Sequence, residues 1–188
     1  LLTSDEEIGL IGANEVAFDL KSQYMLNLDS EDEAEVYIGC AGGVDITASK
    51  QDKYIEGTGT CYEVSVKGLV GGHSGVDIDK GIPSAIKVLG EYLYAHDVKQ
   101  LASMYAGERR NSIPANAVAI VRSEFKLENR DMVKVRELSE TPKILSEGQK
   151  VIEMIDAFKH GVHAQNEELG IPDVSINLAI ITADEKGG

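Results

Sequence analysis

Near the front of the chain stands "TSDEEIG", residues 3–9, where Asp5, Glu6 and Glu7 place three carboxylates in a row. Consecutive residues at a strand–helix junction point in different directions. One carboxylate can then ligate a metal while its neighbour holds an attacking water. The same residues also suit a helix start: Ser4 and Glu7 match the S-x-x-E capping box, and acids in a first turn complement the helix dipole. Asp29 ends the strand-like "YMLNLDS". A carboxylate there serves either as a ligand at the carboxyl end of a strand or as an Asx turn.

Two later segments carry donors. "GLVGGHSG" sets His73 among glycines on a loop. It is not a phosphate loop, because no Lys follows the glycines. His73 is either simply exposed or a hydrogen-bond donor projecting into a neighbouring site. In "ERRNSIP", Arg110 and Asn111 form a turn or act as donors to a carbonyl or carboxylate. His160 and His163 have H-x-x-H spacing, but no acid nearby completes a ligand set, so they read as ordinary histidines. Cys40 and Cys61 have no metal-binding spacing and read as reduced thiols.

Composition narrows the classes. The 188 residues are 43% hydrophobic, which suits a globular chain of one large or two small domains. Eighteen basic against 32 acidic residues leave a net charge of −14. Nucleic acid is therefore not an expected partner, since phosphate binding needs clustered Lys and Arg. No apolar run approaches the ~20 residues of a membrane span, and there is no signal peptide, so no membrane partner and a cytoplasmic location are expected. The chain starts without Met and stops just after a strand-like run, and it reads as a fragment of a longer protein.

The elements that must position these residues alternate. "IGLIGANEVAFDL" has helical spacing, and "YMLNLDS" and "VYIGC" read as strands. "TCYEVSVKGLV" predicts a strand with Tyr62, Val64 and Val66 on one face. "IPSAIKVLGEYLYAH" predicts a helix with Ile82, Ala85, Ile86, Leu89 and Leu93 on one face and Pro83 in its first turn. "KQLASMYAG" and "NAVAIVRSEF" are strands around "ERRNSIP". "PKILSEGQKVIEMIDAFKHG" predicts a second helix, with a stripe from Ile144 and Leu145 to Phe158 and a stop at Gly161. "VSINLAIIT" is a final strand.

Taken in order, "TSDEEIGLIGA", "LNLDSEDEAEVYIGCAGG", "VKGLVGGHSG" and "RRNSIP" resemble the aminoacyl-histidine dipeptidases, in the zinc-dependent exopeptidase family that includes carnosine-cleaving enzymes. The resemblance runs from Thr3 to about Thr182 and covers the middle of such a protein. It implies an α/β fold: part of a zinc-exopeptidase catalytic sheet in residues 1–44, then an α+β lid/dimerisation domain in residues 45–188. It implies two zinc ions, with Glu6 as general base and Glu7 and Asp29 as ligands. His73 matches the lid histidine, which in dimers of the family reaches the partner's active site and stabilises the tetrahedral intermediate. Asn111 matches a substrate-binding residue, and Arg110 stands beside it as a second. A small peptide substrate and a homodimer follow from the same resemblance.

The chain departs from the pattern at Val76, where relatives often have Gly, and at Ser84, where they often have Asn. The family's upstream H-x-D motif, its later ligand His and its substrate-binding Arg are absent from this chain. A catalytic zinc takes three protein ligands, so Glu7 and Asp29 alone do not hold two ions. The expected parent is a dipeptidase for Xaa-His peptides, and the isolated chain is expected to be inactive. Three alternatives stay open: another exopeptidase or N-acyl amino acid deacylase of the superfamily, a catalytically dead homologue, and a non-catalytic lid/dimerisation module.

Overall fold

The computed structural model describes residues 1–5, 10–26, 28, 33–36 and 42–184. The chain divides into two units, Leu1–Val44 and Asp45–Gly188.

In the first unit the capping box and helical spacing predict a helix of several turns. Among the described residues there is one turn, α1 (Ile11–Asn14), entered from Leu10 in the left-handed region at φ 58°. None of its residues is buried, and a short helix without a packed face is marginal. Ser4 does not cap it. Its Oγ donates to Asp5 Oδ2 at 3.0 Å, and its carbonyl accepts from the Gly12 N–H at 3.1 Å. The expected strands at "YMLNLDS" and "VYIGC" are not seen in their described residues, Tyr24–Leu26, Leu28 and Val36, which are all highly exposed. Strand geometry needs a partner for its N–H and C=O groups, and none pairs with these residues among those described.

The second unit runs β1 (Tyr54–Ile55), β2 (Thr60–Val66), β3 (Gly72–His73), α2 (Ala85–Ala95), β4 (Gln100–Ala106), β5 (Ser112–Ile113) and β6 (Ala117–Ser123). It continues with β7 (Val133–Leu138), β8 (Ile144–Leu145), α3 (Gly148–Ala157), β9 (Gly161–Asn166), β10 (Ile171–Ile176) and β11 (Ile181–Ala183). Five strands form an antiparallel sheet in the order β11-β4-β6-β2-β7. The architecture is mixed α/β around this central sheet.

Alternation decides which face is buried. Tyr62, Val64 and Val66 of β2 lie opposite Val121, Ala119 and Ala117 of β6, and all six are buried. They share one core with Ile86, Leu89 and Leu93 of α2 and Ile152 and Ile155 of α3. Each such aliphatic side chain contributes about 1.5–3 kcal/mol on burial. In β4 a bulge makes Ala102 an extra residue between the pairs Leu101–Val121 and Ser103–Ile120. Leu101, Met104 and Ala106 thereby all reach the core despite their uneven spacing.

Several expected boundaries move. Ile82 and Pro83 precede α2, whose N-cap is Ser84. Ile144 and Leu145 are not on a helix but in β8, paired with β1 at Ile55 and Tyr54. Phe158 turns extended after α3, and Gly161, at φ 111°, opens β9 rather than closing a helix. "VSINLAIIT" splits into the end of β10 and β11, separated by Asn177–Ile180.

The two helices touch where Gly90 meets Ile155. A Cβ at Gly90 would lie 2.3 Å from Ile155 Cγ2. Gly90→Ala would gain about 1 kcal/mol of helix propensity but lose about 1–3 kcal/mol to overpacking. Urea unfolding should therefore show a net loss of stability of roughly 1 kcal/mol. A stabilised variant would mean that the helices have slack at this crossing.

Candidate functional site

The sheet register brings two loops together. Ala106, Ala117, Val66 and Val133 form one cross-strand row at the end where β2 and β4 finish and β6 begins. The loop after β2, with His73, and the loop between β4 and β6, with Asn111, thus leave the sheet side by side. Asn116 links them: its Oδ1 accepts from the Gly68 N–H at 2.9 Å and its carbonyl accepts from the Gly107 N–H at 3.0 Å. Further out, β3 pairs with β5, with Gly72 opposite Ile113 and His73 opposite Ser112.

This pairing sets His73 beside Asn111. The Ser74 N–H donates to the Asn111 carbonyl at 2.8 Å. The His73 N–H donates to Asp77 Oδ2 at 2.7 Å, and the Asp77 N–H returns to the His73 carbonyl at 2.8 Å. Lys80, through a 2.7 Å contact, and the His73 N–H hold the Asp77 carboxyl below its ordinary pKa. The Gly75 N–H donates to His73 Nδ1 at 3.1 Å, so this contact favours the tautomer with the ring proton on Nε2. Nε2 lies 3.5 Å from Asn111 Nδ2. The contact is a long hydrogen bond whose donor depends on the His73 tautomer, and Asn111 Nδ2 keeps a second N–H for an outside oxygen. A carbonyl, carboxylate or oxyanion oxygen there would also accept from His73 when Nε2 carries the proton.

Arg110 does not join the pair. Its guanidinium meets Asp45 at 3.3 Å, an exposed contact that adds little to stability. Glu6, Glu7 and Asp29 lie outside the described residues. Among the described residues no three His, Cys, Asp or Glu side chains gather to hold a metal, so the geometry does not carry the zinc assignment. His160 and His163 have separate partners: His163 Nε2–H donates to the Lys159 carbonyl at 2.9 Å, and His160 Nδ1 accepts from the Leu178 N–H at 3.2 Å. Burial pushes the Cys61 thiol up, which disfavours the reactive thiolate. No helix among the described residues is long and apolar enough to cross a membrane.

Comparison with known proteins agrees with the motif reading. No family model matches the chain. It is 38% identical over 127 residues to the cytosol non-specific dipeptidase of Escherichia coli (strain K12), a match covering 64% of this chain and 26% of that protein. The crystal structure of aminoacylhistidine dipeptidase from Vibrio alginolyticus matches with a TM-score of 0.68 and 30% identity, covering 99% of this chain and 44% of that one. This chain is similar to part of a dipeptidase. It spans about a quarter of the first relative and under half of the second.

Two residues of the site were missed by the reading of the sequence. Asp77 had a local signal, a carboxylate four residues after His73 in a glycine-rich turn. Asn177 had none. Its Nδ2 donates to the Ser112 carbonyl at 2.8 Å, across 65 positions.

Just beyond Asn177, the Leu178–His160 contact makes a pH prediction. Burial, with the Lys87 ammonium adding to it, pushes His160 below its ordinary 6.5. Unfolding lets the ring take up a proton more readily. Its stabilising contribution is therefore full above about pH 6.5 and lost as pH falls through the depressed folded value. His160→Gln keeps an acceptor for Leu178 without titrating. The stability lost between about pH 7.5 and about pH 5 should be smaller in this variant than in the parent chain. Equal losses would show that His160 does not carry that dependence.

Proposed function

We propose that this chain is part of a zinc dipeptidase that hydrolyses Xaa-His dipeptides such as beta-alanyl-histidine, and that His73 and Asn111 form its donor pair for a substrate oxygen. The observation that carries the reading is the 3.5 Å approach of His73 Nε2 to Asn111 Nδ2, on loops held together by backbone pairing. Similarity to part of two dipeptidases supports the reaction class. Residues 1–44 are assigned to the catalytic domain and residues 45–188 to the lid/dimerisation domain. Glu7 and Asp29 are the assigned zinc ligands, and a cytoplasmic homodimer is the assigned state.

The chain's own groups then divide the work. Glu6 accepts the proton of the attacking water and passes it to the leaving amine, as a general base and then acid. The Nε2–H of His73 donates to the oxyanion of the tetrahedral intermediate. A donor of this kind is worth about 3 kcal/mol in the transition state. Asn111 Nδ2–H is the second donor to substrate, and Arg110 lies at the rim, where exchanging Asp45 for a substrate carboxylate costs little.

A second reading has its own observation. Within unit Asp45–Gly188 the buried core side chains of the sheet, α2 and α3 pack on one another, as a lid/dimerisation module without chemistry would need.

Two measurements test these readings. The purified 188-residue chain, supplied with zinc, should not hydrolyse a Xaa-His dipeptide. Turnover that disappears in Glu6→Gln would overturn that expectation. In the full-length protein, His73→Ala should lower kcat by about two orders of magnitude while KM changes far less. An unchanged kcat would remove His73 from the chemistry.

A further inference from the structure

Asn177 stands where the chain leaves β10 and has not yet entered β11. Its Nδ2 donates to two carbonyls, that of Ser112 at 2.8 Å and that of Arg110 at 3.4 Å. These are the two carbonyls that flank Asn111. The carbonyl of Asn111 itself accepts from the Ser74 N–H at 2.8 Å. The backbone of Asn111 is thus gripped from two directions, by the strand that carries His73 and by the Asn177 amide.

The segment holding Asn177 is itself pinned. The Leu178 N–H donates to His160 Nδ1 at 3.2 Å. The Ala179 carbonyl lies so close to Gly107, at φ +81°, that a Cβ there would sit 1.7 Å from its oxygen. The segment is therefore keyed against the loop that bears Asn111 at its start, Gly107, and again at Arg110 and Ser112. The Asn177 amide orientation is also decided. Turning it over would set its oxygen against two carbonyl oxygens.

That orientation leaves the buried Asn177 Oδ1 without a hydrogen-bond partner among the described residues. A buried unpaired acceptor is a cost, and a leucine of similar size would fill the space without it. The contacts that the position makes are those of the donor end of the amide. Its two contacts act on the 110–111 peptide, which adjoins Asn111, and on the 112–113 peptide one residue beyond, while Ser74 holds the 111–112 peptide between them.

We propose that Asn177 is a positioning residue: it holds Asn111 opposite His73 so that their two N–H groups meet one acceptor oxygen. This rests on the reading of that pair as the substrate donor pair, and the test separates the two claims.

The test compares the 188-residue chain with its Asn177→Leu and Asn177→Ala variants by NMR, following the Ser74 amide, the His73 ring nitrogens and the amides of β2 and β6. With Asn177 truncated, exchange of the Ser74 amide should rise about fivefold or more, as expected on losing one neutral hydrogen bond. The His73 ring nitrogens should shift, while the amides of Val64 and Ala119 keep their exchange rates. Unchanged Ser74 and His73 signals in a folded variant would overturn the proposal. So would loss of signal dispersion across the whole sheet in both variants, since Asn177 would then be a residue of the fold. In the full-length protein, Asn177→Leu should lower kcat more than it alters KM for a Xaa-His dipeptide. If the NMR changes occur and the unsubstituted protein has no such activity, the positioning stands and the dipeptidase reading falls.

Discussion

The cross-strand row Ala106, Ala117, Val66 and Val133 is the constraint on which the candidate site depends. All four side chains are buried, so the register cannot slide. A slip of one residue would turn the apolar side chains of a strand to the wrong face. With the row in place, the loops bearing His73 and Asn111 must leave the same end of the sheet as neighbours. The short pairing of β3 with β5 then fixes their approach.

The site is held by backbone rather than by charge. Arg110 with Asp45 is an exposed ion pair and Lys80 with Asp77 a partly exposed one, and such pairs contribute little. The contacts that set the geometry are main-chain donors: Gly75 to the His73 ring, Ser74 to the Asn111 carbonyl, and His73 to Asp77. Glycine serves this arrangement at Gly72, where a Cβ would meet Asp77 Oδ2 at 2.9 Å. The donors sit on loops, but those loops grow from a rigid sheet covered by two helices. That combination gives precision without burying polar groups.

The two units differ in what covers their apolar residues. In the second, Val64, Leu89 and Ile155 are completely buried. In the first, Leu2, Tyr24, Met25 and Leu28 stand open, and the described helix is one turn long. Local signals there were strong, with a capping box and helical spacing. Local preference without a packed face does not sustain a helix.

By itself the sequence determined what depends on near neighbours. The alternation of Tyr62, Val64 and Val66 specified a half-buried strand, and the spacing of Ala85, Ile86, Leu89 and Leu93 specified one helix face. The order of motifs from "TSDEEIG" to "RRNSIP" pointed to the dipeptidases and to His73 and Asn111. Tertiary structure alone decided the rest. The bulge at Ala102, the pairing of β1 with β8 and the break at Asn177 depend on partners far along the chain. His73 and Asn111 are 38 positions apart, and only strand pairing sets them 3.5 Å from each other. Side-chain period is a local property and can be read along the chain. Register and loop contact are long-range, because they are selected by which buried faces can close over one core.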